Sequence, residues 1–139
     1  NQQEPEGAPV SETSSTESDL TGASCPAPSN GPLEITYWKT PSGKTYCAHM
    51  NGEGHESIRC DVTGWNDETM YLDSGAKGKA ELSPATDSVA NPDAPVMPYD
   101  QVQTIGSFRC VVHATTGTRC VNLCSLQGFE ISTQSKKTF

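Results

Sequence analysis

The chain has 139 residues, a formal net charge of −8 and six cysteines, enough for one domain or for a smaller domain behind a tail. Its acidic balance argues against nucleic acid as a partner, because phosphate binding needs clustered Lys and Arg. No stretch approaches the roughly 20 apolar residues of a membrane-spanning helix.

Residues 1–32 contain no aromatic side chain, no Lys and no Arg, while Glu4, Glu6, Glu12, Glu17 and Asp19 make them acidic. Such a segment cannot bury enough apolar surface to offset the entropy of ordering its backbone. A flexible acidic tail or linker is therefore expected over 1–32, disordered at least as far as Ser24, with a disulfide-stabilised β-domain over 33–139. A domain of that size hides only about two-thirds of its unfolded surface, so its core needs reinforcement. Six cysteines without a CxxC pair read as three disulfides rather than as zinc ligands. Disulfides persist in oxidising compartments, so the expected location is extracellular or in the cell envelope, outside the cytoplasmic membrane. The chain opens on polar Asn1. An export leader is expected to precede it, with a lipid-bearing cysteine just upstream and the tail as a spacer reaching roughly 25 to 30 Å.

Within the body, short apolar and β-branched runs alternate with Gly, Pro, Asn and Asp, the punctuation of an all-β sandwich or barrel. The first strand is expected over 33–40, with Leu33, Ile35 and Tyr37 on one face, ending at Pro41-Ser42-Gly43. Strands over 44–50 and 58–63 flank Asn51-Gly52-Glu53-Gly54, a glycine-rich reversal. Strands over 70–73 and 79–82 flank Ser74-Gly75. Residues 83–98 carry four prolines and little pattern, and read as a long surface connection. Strands resume over 108–114, 118–123 and 129–133.

Two hairpins share one design. Cys47 and Cys60 are equidistant from the Glu53-Gly54 turn, and Cys110 and Cys120 are equidistant from Thr115; an Arg precedes the second cysteine of each pair. Cysteines equidistant from a hairpin tip face each other across the strands and can bridge at a non-hydrogen-bonded position. Cys47 is therefore expected to pair with Cys60 and Cys110 with Cys120, which leaves Cys25 for Cys124. The expected fold is a small, disulfide-stapled antiparallel sandwich or barrel-like domain.

The run Thr40-Pro41-Ser42-Gly43-Lys44-Thr45-Tyr46-Cys47, the strand Ile58-Arg59-Cys60-Asp61-Val62, and the closing segments 106–110, 117–122 and 128–132 together resemble an actinobacterial family of exported or lipid-tethered cell-envelope domains of unknown function. The resemblance spans about residues 39–132. It implies a small β-fold and an envelope location, and it carries over no catalytic residues. The family usually has a further cysteine pair around its central hairpin, where Met70 and the Ser83 region stand here; Cys25 and Cys124 look like replacements placed elsewhere.

Chemistry finds little purchase. His49, His55 and Glu56 are close in sequence, but His55-Glu56-Ser57-Ile58-Arg59 lacks the second histidine of a HExxH zinc motif. Histidines exposed in a turn are the expectation, with no metal and no cofactor. Serine catalysis lacks a Gly-x-Ser-x-Gly elbow, His113 is expected to point outward, and Asp67-Glu68 falls in a turn. No catalytic residue is assigned, and the chain does not read as an enzyme. The aromatic residues remain. Adjacent Tyr37 and Trp38 must point to opposite sheet faces, so either one reaches the surface or both faces of that strand are covered. Tyr37, Trp38, Trp65 and Tyr99 are the candidate binding residues, because exposed aromatics supply rigid contact area at interfaces. The expected function is a non-catalytic envelope module binding an exported protein or a cell-wall polymer; the alternative is a small-ligand carrier or hydrolase whose pocket the sequence does not reveal.

Overall fold

A computed structural model describes residues 25–139. Of the tail expected over residues 1–32, residues 1–24 lie outside the described residues. Among those described the fold is all-β, two antiparallel five-stranded sheets and no helix. The first sheet holds β1 (Glu34–Lys39), β2 (Thr45–Gly52), β3 (His55–Val62), β4 (Glu68–Asp73) and β5 (Ala80–Pro84). The second holds β6 (Gln103–Ile105), β7 (Phe108–His113), β8 (Gly117–Asn122), β9 (Gly128–Ser132) and β10 (Ser135–Thr138). Each is a meander in which consecutive strands pair.

Alternation drives the layering. Trp38, Cys47, Cys60 and Met70 align across the inner face of the first sheet, and Cys110, Cys120 and Phe129 align across that of the second. With Ile58, Leu72, Phe108, Val112 and Ile131 they form one buried cluster. Cys47 faces Cys60 and Cys110 faces Cys120 in register, each with Cα atoms 4.1 Å apart. That spacing marks a non-hydrogen-bonded pair. The third bridge joins Cys25 to Cys124 across a separation of 99 residues.

Beyond β6, where no strand was expected, and Glu68, expected in a turn but the first residue of β4, three details differ from expectation. First, β3 starts at His55 rather than Ile58, because Gly52 pairs with His55 around a two-residue turn. Glu53 and Gly54 both have positive φ, 55° and 80°, the backbone of a tight hairpin turn. Second, β10 had no apolar alternation to announce it. It is an edge strand carrying Lys136 and Lys137, so it has no buried face to encode. Third, the body begins before Leu33. Glu53 and Gly54 donate their N–H groups to the carbonyls of Gly31 and Ser29, both at 2.8 Å, and Ser29 N–H donates to Asn51 Oδ1 at 2.9 Å. Residues 29–32, placed in the tail by composition, thus cap the first hairpin through their carbonyls, which composition cannot register.

Residues 85–102 strap the outer face of the first sheet and then cross to the second. Ala85 N–H bonds Asp67 O, Val89 N–H bonds Asp61 Oδ2 at 2.7 Å, and Arg59 Nη2 reaches Asp87 O at 2.8 Å. The strap then rounds the edge of β1, where Lys39 and Val96 form a parallel bridge, and Asp100 N–H bonds Val112 O on β7.

Candidate functional site

The turn of the strap around β1 leaves a seam between the two sheets. Lys39 donates its N–H to Pro95 O at 3.0 Å, and Met97 N–H donates to Lys39 O at 2.9 Å. The backbone groups of Lys39 therefore point away from β2. Successive residues of a strand alternate in this respect, so Tyr37 and Ile35 also turn their N–H and C=O groups to the outer edge. The phase agrees with the disulfide: Cys47 bonds toward Trp38 on β1, and its other side is the 4.1 Å pair with Cys60. Among the described residues neither Tyr37 nor Ile35 has a backbone partner on that outer side.

Beside this edge lies a depression of about 190 Å³ walled by Tyr37, Trp38, Pro95, Val96, Met97 and Ile105, with Thr36 and Gln103 as its polar members. Trp38 is 5% exposed, and its buried Nε1–H has no hydrogen-bond partner. Most of the exposed large apolar residues fall on β1, its lead-in and the strap. These are Leu33, Ile35, Val96, Tyr99 and Val102, whereas Leu126 and Phe139 are the exposed large apolar residues elsewhere among those described.

The four aromatics singled out from sequence do not converge. Tyr37 and Trp38 share the seam, with Trp38 turned into the core and Tyr37 half-buried at the edge. Trp65 lies in a separate depression of about 300 Å³ with Tyr46, Asp61 and Asp67, where Lys136 Nζ sits 4.9 Å from the Trp65 ring and 2.6 Å from Glu68. Tyr99 lines a third depression, of about 270 Å³, with Lys44, His113 and Thr118. Val96, Met97 and Ile105 were missed because they sit in or after a proline-rich stretch without alternation.

The histidines take structural partners. His49, expected in an exposed turn, is instead inside the lengthened hairpin, with its side chain 13% exposed and Nε2 2.7 Å from Glu56 Oε2. Ser107 donates its N–H to Glu56 Oε2 at 3.0 Å and its hydroxyl to Glu56 Oε1 at 2.7 Å, tying the first hairpin to the β6–β7 turn. Burial on its own would raise the Glu56 pKa; the hydrogen bonds from His49 and Ser107 outweigh it and hold the carboxyl below its ordinary value. Only glycine fits at Gly106, since a Cβ there would lie 2.1 Å from Glu56 Oε2. His113 Nδ1 is 2.8 Å from Asp100 Oδ1 on the surface, and His55 is 3.6 Å from Asp73. Among the described residues no group of three or more His, Cys, Asp or Glu side chains is placed to hold a metal ion, and no helix is long and apolar enough to cross a membrane.

Comparison with known proteins found no matching family model, no matching curated protein and no matching solved structure.

Proposed function

We propose that this chain is a non-catalytic binding module of the cell envelope that offers the β1 seam to another exported protein. One observation carries the reading: exposed Leu33, Ile35 and Val96 lie on β1, its lead-in and the strap, beside a stretch of unpaired backbone and a mainly apolar depression. Exposed apolar side chains beside an open sheet edge suit an interaction site. Three disulfides fit an oxidising, extracellular environment. The resemblance to exported and lipid-tethered actinobacterial domains supports an envelope location, with a lipid anchor upstream of Asn1 as its finer form. His49 and Glu56 are engaged in holding the hairpin to Ser107, which supports a role other than catalysis.

A second reading, a small-ligand carrier, draws on the depression around Tyr99, where buried Thr118 has an unpartnered hydroxyl. The two separate in one experiment. A photoreactive residue is placed at Val96 or, as a control, at Leu126, and the domain is irradiated with envelope proteins from its own source. Crosslinks from position 96 that vanish on Ile35→Asp support the seam. Equal crosslinking from both positions, or none at 96, removes the support.

A further inference from the structure

Resting on the reading of the β1 seam as a protein-binding edge, we infer that its ligand is an extended peptide that adds to β1 as a further strand, with one large apolar side chain in the depression. The chain performs this addition on itself one rung away. Residues 95–97 pair in parallel with Lys39 through two backbone hydrogen bonds, and the edge continues past that rung into Tyr37 and Ile35. A peptide placed there would extend an interface that already exists.

The other sheet edges are guarded. β10 carries Lys136 and Lys137, β5 carries Glu81 and ends in Pro84, and β6 is three residues long. Charge, proline and shortness are the usual protections of an edge against strand addition. At β1 the strap covers only the Lys39 end, and the remainder carries exposed Leu33 and Ile35 with one charged residue, Glu34, at its far end.

The depression sets the size and chemistry of the anchor. At about 190 Å³ it is smaller than the roughly 300 to 1,000 Å³ of small-molecule sites and suits a single side chain. Its walls are mainly aromatic and aliphatic, with Thr36 and Gln103 the polar exceptions, which suits an apolar side chain better than a sugar, most of whose hydroxyls would lose their water without replacement. Trp38 lines the same space, so its indole reports on occupancy of the depression. Backbone bonds for affinity and an alternate side-chain pocket for selection are the two components of strand addition.

The test uses the intact chain labelled with ¹⁵N and a capped seven-residue peptide of alternating Thr and Val with Leu at its centre. Two further peptides carry Ala at the centre, or N-methyl groups on the edge-facing amides. Strand addition expects saturable shifts of the Ile35 and Tyr37 amides and of the Trp38 indole N–H, with slowed hydrogen exchange at the two amides. The Ala peptide should bind about tenfold more weakly. The N-methylated peptide should not bind, and this control leaves the protein unaltered. Val96→Trp, which fills the depression, should weaken the Leu peptide at least tenfold while the amide spectrum stays folded. Binding with shifts confined to the Trp65 and Tyr46 depression overturns strand addition and leaves the protein-binding reading standing. Equal binding of the N-methylated peptide also overturns it. Shifts at the Tyr99 depression with oligosaccharide fragments, and none with any peptide, overturn both.

Discussion

The two disulfide hairpins, β2–β3 and β7–β8, are one covalent device in two settings. Both hold their cysteines 4.1 Å apart at Cα, and both place an Arg before the second cysteine. Arg59 has a side chain 6% exposed; it donates from Nε to Thr69 Oγ1 at 2.9 Å, pairs with Asp87 at 3.0 Å and Asp61 at 3.3 Å, and lies over the Tyr71 ring. Arg119 is 46% exposed, reaches Glu130 only at 4.0 Å, and rests 4.3 Å from the centre of the Phe139 ring. The difference comes from the strap, which crosses the outer face of the first sheet at Arg59 and Asp61 and covers Arg59 there. The same local motif thus yields a buried anchor in one half and a surface contact in the other.

The bridge between the halves should matter most. Replacing both Cys25 and Cys124 with Ala releases a loop with a separation of 99 residues, against 13 and 10 in the hairpins. The chain-entropy relation gives about 4.7 kcal/mol for a loop near 100 residues and about 3 kcal/mol for one near 15. Urea denaturation of the three double-alanine variants should follow that order. A larger loss from either hairpin pair would mean that their position in the core outweighs loop length.

Next comes the Arg comparison. Arg59→Ala strands Asp61 beneath the strap and should cost about 3 kcal/mol, because a buried charge loses its partner. Proteolysis should then cut first within residues 85–94. Equal effects of Arg59→Ala and Arg119→Ala would show that the strap contributes no protection.

Glu56→Gln should cost about 2 kcal/mol at neutral pH, the scale of hydrogen bonds to a charged group. The folded-state pKa of Glu56 lies below the ordinary value of 4.5. Its contribution is therefore fully present above the unfolded value and disappears as pH falls through the lower, folded one. The stability gap between the parent and Glu56→Gln should close on acidification, read from chemical denaturation at a series of pH values. A constant gap would assign the loss to packing. The smallest effect is expected of Arg119→Ala, below about 1 kcal/mol and reduced further by salt.

What was legible in the sequence was local. The hairpin bridges follow from equal distances to a turn, and the opposed faces of Tyr37 and Trp38 follow from strand alternation, although not which of the two would enter the core. The seam was illegible for a definite reason. Pro92, Pro95 and Pro98 remove the alternation that announces a strand, so nothing marked Val96 as a partner of Lys39. His49 was misplaced because its partner Glu56 is fixed by Ser107, 51 residues further on.

The sequence by itself determined the all-β class, the export-compatible cysteine set and the pairing inside each hairpin, since those depend on neighbours within about a dozen residues. Only the tertiary structure decided which Arg is buried, where the open edge lies and which aromatic residues share it. Those outcomes depend on how a connection without periodicity crosses one sheet and closes on the other. Its route is set by long-range hydrogen bonds, Arg59 to Asp87 and Lys39 to Pro95 among them, that leave no local pattern.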